Sequence, residues 1–307
     1  KTKLSLLACL LTMKTNTTKQ TRASKHGANS YWSRWLNAYK FRMSVLESKG
    51  RIHQQFYRNG PSHRDGADVS FQDIRKLFNF ATITVGRWVT AEEQQIAANL
   101  FFDALYDLVA ILNINEQVLS LNGSLSLAFG SGGQKHSSAH YNSAKRQLAL
   151  AKNAGAGALA HEWFHAFDHY IAPRMFDGIA VGSFATQAWL DNAPMNPHPL
   201  NQKLSDCFSL LFLNDQKRPN EYFVRSVEAD RALKMYYYAM PQEMAARAFE
   251  ACIQDHEIKN AFLVQGTKKS TEARLGIYPH GNLRTSLNQA LMLYFYQLGV
   301  AISRKQT

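Results

Sequence analysis

Apolar side chains recur at helical spacing between residues 90 and 113. Ile96, Leu100, Leu105, Leu108, Val109 and Leu112 fall mostly on one face. Thr90 followed by Glu93 reads as a capping box, so this stretch predicts a long amphipathic helix. Over residues 118–129 the pattern changes to alternation around Asn122-Gly123, which predicts a β-hairpin. A Gly/Ser loop at 130–133 leads to two short strand-like runs, near 139–141 and 147–151. After a break at Asn153, residues 156–171 predict a helix ended by Pro173. The stretch 172–219 holds five prolines and one apolar run near 204–213, which predicts a loop-rich insertion carrying a helix. Pro241 suits a first helical turn, so a helix is expected over 241–255, then a loop at 278–281 and a last helix over 285–302. Strands followed by a helical half define an α+β pattern.

Composition narrows the class. The chain has 307 residues, 46% apolar and 19% charged, which is globular. Cys9, Cys207 and Cys252 are odd in number and far apart, which excludes a disulfide scaffold and a cysteine-based zinc finger. The longest apolar runs, at 4–13 and 291–302, fall short of the roughly 20 residues a spanning helix needs, so no transmembrane segment is expected.

Charge divides the chain. The first 64 residues carry 13 Lys or Arg against one acid, Glu47, while the rest carries 22 of each sign. We read residues 1–57 as a basic N-terminal arm and 58–307 as a nearly neutral body. The run 4–13 after Lys1 and Lys3 loosely resembles a secretion signal, but Lys14 follows at once with no small-residue cleavage site; Met13 is an alternative start. Residues 30–42 interleave aromatics with cations. They suit either nucleic-acid contact or, the preferred reading, an amphipathic helix docking Trp32, Trp35 and Leu36 on the body.

The chemistry centres on His161-Glu162-Trp163-Phe164-His165, an H-E-x-x-H in the helix expected over 156–171. Residues four apart on a helix lie about 40° apart around the axis and ~6 Å along it, so both imidazoles reach one Zn²⁺. Glu162 points about 100° away from His161 and can work on a zinc-bound water without ligating. The extended motif with a third histidine is excluded, because Asp168 and Ile171 stand where it needs Gly and His. His169 lies ~12 Å along the helix from His161, too far to share a metal. Asp168 is a candidate acceptor for the spare N–H of a ligating histidine.

A third ligand must then come from elsewhere. Glu243, Arg247 and Glu250 share one face of the helix expected over 241–255. Glu243 and Glu250 lie ~10.5 Å apart along that helix, so one zinc cannot take both. Glu243, close to the helix start, is the expected ligand and Glu250 the expected supporting carboxylate. Asp191, Asp206 and His198 are the alternatives. Tyr278 is the first candidate to donate to an oxyanion, ahead of His280, Tyr141 and His140.

Several stretches together resemble the first of the large polyvalent protein-associated domains, zincin-like metallopeptidase domains of phage and conjugative-element proteins. They are Gly60-Pro-Ser-His-Arg-Asp-Gly, Val85-Gly-Arg-Trp-Val, Leu125-Ser-Leu-Ala-Phe-Gly, Gly157-Ala-Leu-Ala-His-Glu-Trp-Phe-His-Ala-Phe-Asp, Arg225-Ser-Val-Glu-Ala-Asp, Pro241-Gln-Glu-Met-Ala-Ala-Arg-Ala-Phe-Glu and Tyr278-Pro-His-Gly. In order they cover residues 58–303, and the arm lies outside them. The resemblance matches at His161, Glu162, His165, Asp168, Glu243 and Glu250; Phe167 stands where the family tends to have Leu.

The resemblance implies a zincin-like fold, with a small β-sheet, an H-E-x-x-H active-site helix and a mainly helical second half. It implies a cytoplasmic, mobile-element zinc metallopeptidase of the Glu-zincin kind. His161, His165 and Glu243 would hold Zn²⁺, Glu162 would act as general base and then acid, and the partner would be a protein or peptide substrate. The competing reading is a nucleic-acid-associated module that uses the basic arm and keeps a structural or weakly active zinc site. Secretion or delivery to another cell is the alternative location.

Overall fold

The computed structural model describes residues 51–131, 139–151 and 157–306. The apolar run 4–13 and the aromatic and cationic segment 30–42 lie outside the described residues, as do Gly132, Gly133, Asn153 and Ala156. The described chain packs on the body from its start. Ile52, in a short 3-10 turn, is 4% exposed, and the Phe56 ring meets Phe262 edge-on at 5.4 Å.

The helices are α1 (Phe71–Phe78), α2 (Ala91–Leu112), α3 (Glu116–Leu119), α4 (Ala158–Met175), α5 (Ala185–Leu190), α6 (Pro199–Phe212), α7 (Glu221–Leu233), α8 (Pro241–Asp255), α9 (Thr271–Arg274) and α10 (Gly281–Gln306). The strands are β1 (Ile83–Val85), β2 (Ser126–Phe129), β3 (Ala139–Asn142) and β4 (Gln147–Leu150). They form one sheet in the order β1-β2-β4-β3. β1 and β4 both run parallel to β2, and β3 pairs antiparallel with β4. The central strand β2 is buried throughout, as parallel strands covered on both faces are. The architecture is therefore α+β, with a small mixed sheet followed by a helical half.

Several expectations hold in detail. The Thr90 capping box opens α2, α8 begins at Pro241 and runs to Asp255, and β3 and β4 form at the two short strand-like runs. By length and mean hydropathy (1.4) α2 passes for a membrane span. Its buried Asp107 and its apolar partners make it a core helix instead.

Others need correction. The hairpin expected at Asn122-Gly123 does not form. Residues 116–119 make the single turn α3, whose Val118 and Leu119 are buried, and Asn115 accepts the Val118 N–H to start it. Leu121, Asn122 and Gly123 then adopt positive φ in succession, a tight reversal into β2 with no strand on its other side. Pro173 does not end α4 but lies inside it. The fully buried Ala172 and Met175 hold the last turn, and the Phe176 N–H bonds the Ala172 carbonyl. The proline-rich stretch carries two helices, α5 and α6, rather than one. α7 was not anticipated, and α10 begins at Gly281, before residue 285.

A buried carboxylate ties the loop before α1 to the body. Asp107 on α2 is fully buried. It accepts from Arg58 Nε at 2.6 Å and Nη2 at 2.7 Å, from Asn260 Nδ2 at 2.8 Å, and pairs with His63 Nε2 at 2.9 Å. Removing one member of such a cluster leaves a buried charge underpaired. Arg58→Ala is therefore expected to destabilise the fold by about 3 kcal/mol in denaturant titration. The same change at the exposed Arg225 should cost little.

Candidate metal centre

Two helices build the site. α4 has no side-chain N-cap. Its first amides are taken by the backbone of residues 262–263, with Gly157 N donating to Phe262 O and Ala160 N to Leu263 O, both at 3.2 Å. Gly157 sits at φ 101°, and a Cβ there would meet the Gln265 amide at 2.8 Å. Aromatic packing fixes how α4 meets α8. Phe164 lies 4.9 Å and Trp163 5.4 Å from the Phe249 ring. Trp163 also stacks on Phe167 and donates its Nε1–H to Leu119 O at 2.9 Å. The residues between and beside the two histidines thus anchor the helix, and the histidines turn toward α8.

There His161, His165 and Glu243 converge, with ligand atoms all within 4.8 Å of one another. His161 Nε2 lies 3.2 Å from Glu243 Oε2, His165 Nε2 lies 3.2 Å from Glu243 Oε1, and the two Nε2 atoms are 3.0 Å apart. Donors around a tetrahedral ion with bonds of ~2.0–2.1 Å stand roughly 3.3 Å apart, so the spacing suits Zn²⁺. His165 Nδ1 is buried with no hydrogen-bond partner among the described residues, whereas His161 Nδ1 meets Glu250 Oε2 at 3.1 Å. Tyr278 donates its hydroxyl to that same Glu250 oxygen at 3.0 Å.

Charge and burial oppose each other at the cluster. Burial works against a charged His161 ring, but the carboxylates of Glu250 and Glu243 outweigh it and hold the ring well above the ordinary histidine range. Burial would likewise raise Glu243, yet its bonds to His161 and His165 hold it well below the usual carboxylate range. Glu162 is 9% exposed and makes no hydrogen bond or ion pair among the described residues.

The other expected residues lie elsewhere or take other partners. Asp168 does not meet a histidine nitrogen. Its carboxylate accepts from Thr186 N at 2.9 Å and Thr186 Oγ1 at 2.6 Å, so it caps α5. Burial pushes Asp168 up to about 6, against those bonds. Glu250, and not Asp168, therefore supports a candidate ligand. Asp191 and Asp206 accept from Gln187 and Gln202, and His198 caps α6; none joins the cluster. His280 is exposed, 3.9 Å from Glu221. Tyr141 on β3 pairs with His169 Nδ1 at 2.7 Å, tying the edge strand to α4.

The sequence reading missed the shell around α8. Arg247 is 4% exposed and donates to Tyr238 O and, at 2.9 Å, to Ile277 O. It thereby ties two loops to the helix. Asp230, fully buried, accepts the amides of Tyr237, Tyr238 and Ala239. Burial, and after it the nearby Glu243 carboxylate, push the Tyr237 hydroxyl well above its ordinary range. The available signal was a run of three tyrosines, 236–238, just before the proline that opens the ligand helix.

Residues 229–302 match the family model of the large polyvalent protein-associated domain 1. The resemblance read from the sequence is thereby supported over the segment that carries Glu243, Arg247, Glu250 and Tyr278; the H-E-x-x-H lies before it. Comparisons with curated proteins and with solved structures return no match.

Zinc affinity separates the two glutamates. Glu250→Ala should weaken zinc binding about 10–100-fold, the range for a lost partner of a ligating histidine. Glu243→Ala should weaken it further, because a ligand atom is lost. Competition titration with a chromogenic chelator reads both, and the reverse order would overturn the assignment.

Proposed function

We propose that this protein is a zinc-dependent metallopeptidase. The observation that carries the proposal is the convergence of His161 Nε2, His165 Nε2 and the Glu243 carboxylate on one point, in a helix where Glu162 directly follows His161. Zn²⁺ held by these three residues would polarise a scissile carbonyl and lower the pKa of the attacking water.

The chain supplies the remainder. Glu162 takes the proton of the attacking water and returns it to the leaving amine. Glu250 accepts from His161 Nδ1, which leaves Nε2 free as a ligand atom and fixes the ring. In this reading Tyr278 steadies Glu250 rather than touching substrate, since its hydroxyl is already directed there. The edge strand β3 has no strand on its outer side among the described residues and is tethered to α4 through Tyr141 and His169. An extended peptide can pair along that edge, a mode that reads backbone more than side chains.

Glu162→Gln tests the mechanism. Gln has the same shape but cannot take a proton, so the variant should keep stoichiometric zinc and its melting temperature while losing at least ~10²-fold in kcat. The measurement is cleavage of an internally quenched peptide library by wild type and variant, with zinc content read alongside. Near-full activity in the Gln variant would sink the mechanism.

A further inference from the structure

A row of aromatic rings leads from the candidate metal centre to the edge strand. The Phe184 ring stands 6.2 Å from the His165 ring, edge-on at 70°, and 5.7 Å from the His169 ring. His169 lies one turn past His165 on α4, so Phe184 bridges two successive turns of the helix. The Tyr141 ring of β3 follows at 5.8 Å from the His169 ring, with its hydroxyl 2.7 Å from His169 Nδ1. The order is therefore His165, Phe184, His169, Tyr141. The two histidines are buried, whereas Phe184 and Tyr141 are half-buried and keep part of their surface open.

Asp168 fixes the row. Phe184 is the residue before α5, and its side chain does not cap that helix. Asp168, three residues past His165, accepts Thr186 N at 2.9 Å and Thr186 Oγ1 at 2.6 Å in its place. The Ala188 amide donates to the Phe184 carbonyl at 3.0 Å. The start of α5, and Phe184 with it, is thus referenced to the helix that carries both candidate histidine ligands. Tyr141 and His169 satisfy each other. Burial, and after it Arg146, hold His169 below the ordinary histidine range, which favours an uncharged ring at neutral pH. The row presents ring faces and edges, with no carboxylate or ammonium among its members. A charged side chain laid against it would lose water without gaining a partner, and an apolar one would only gain. A peptide paired along β3 turns alternate side chains to opposite faces of the sheet, and Tyr141 marks the face that α4 covers.

We propose that Phe184, His169 and Tyr141 form a subsite for a large apolar side chain, aromatic or leucine-like, on a residue flanking the scissile bond. The assignment rests on the peptidase reading of the same site and adds a substrate class to it: chains cut beside a large apolar residue and not beside a charged one. Phe184 is the specificity-determining residue, because its ring adjoins both a candidate zinc ligand and the pair that ties the edge strand to α4.

The test uses the full chain loaded with zinc and quenched peptides built on a sequence that it cleaves, with Phe, Leu, Ala, Asp or Lys placed in turn on each side of the scissile bond. At one of the two positions wild type should favour Phe or Leu over Ala by about 10–200-fold in kcat/KM, the range a fitted apolar pocket gives, and should reject Asp and Lys. Phe184→Ala should lose about 10-fold or more on the Phe and Leu peptides, change little on the Ala peptide, and keep stoichiometric zinc. Phe184→Leu, the milder change, should lower the Phe peptide relative to the Leu peptide, and it carries the comparison if the alanine variant does not fold. An equal loss on every peptide would mark a merely structural ring and overturn the subsite. So would an unchanged preference in both variants, or a wild type that cleaves with no apolar preference at either position. Each of those outcomes leaves the peptidase reading in place. A zinc-loaded wild type that cleaves no member of a mixed peptide library would overturn that reading itself, and the subsite with it.

Discussion

The crossing of α4 on α8 is the constraint on which the site depends. Neither helix holds a complete set of ligand atoms; α4 brings two imidazoles and α8 one carboxylate. They meet because Trp163, Phe164 and Phe167 on one side pack with Phe249 on the other, and Phe295 of α10 closes the cluster. Truncating one such ring to Ala typically costs about 3–5 kcal/mol, far more than any one polar contact at the site returns. The aromatic cluster sets the distance, and the polar atoms accept it. His161 and His165 share a helix with the rings that lock it, and their Nε2 atoms lie 3.0 Å apart.

That arrangement carries an electrostatic cost. Glu162 and Glu250 are buried, and Glu243 is only slightly more open. The buried positive side chain of Arg247 spends its bonds on carbonyls of two loops, and its Nη1 has no hydrogen-bond partner among the described residues. A buried carboxylate cluster with too little positive charge either binds protons or binds a metal. Here the Glu250 and Glu243 carboxylates hold the His161 ring well above the ordinary histidine range, against its burial. A dication in the same place would satisfy the carboxylates and compete with protons for the imidazoles, which is the ordinary coupling between metal uptake and proton release.

How much of this was readable depends on the range of the interaction that decides it. The ends of α8 and the start of α2 are set by local chemistry, a Pro at the first turn and a capping box, and both were readable. The two histidines of α4 follow from helical spacing alone. Asn122-Gly123 misled because alternation describes both a hairpin and a buried single turn. What separates them is the pairing of β2 with β1 and β4, strands remote in sequence. Asp168 misled for the same reason. Its place on α4 permits a contact with a histidine, but Thr186, eighteen residues on, offers an amide and a hydroxyl together. Asp230 and Arg247 lie in stretches the resemblance singled out, but their bonds were not readable, since they join α7, α8 and two loops through backbone groups.

The match over residues 229–302 divides the site in a physically instructive way. That segment holds Glu243, its frame and both tyrosine-bearing loops. The two histidines and Glu162 lie before it. Two imidazoles one turn apart bind zinc weakly alone, and a single carboxylate hardly binds it, so affinity requires both parts held together. The linkage is reciprocal. Whatever binds only the assembled site stabilises the assembly, by about 2.7 kcal/mol at a hundred times the dissociation constant. On that account a metal here would brace the α4–α8 crossing as well as supply chemistry. The aromatic cluster gives the site its geometry, and the bound ion would return part of that stability to the contact that made it.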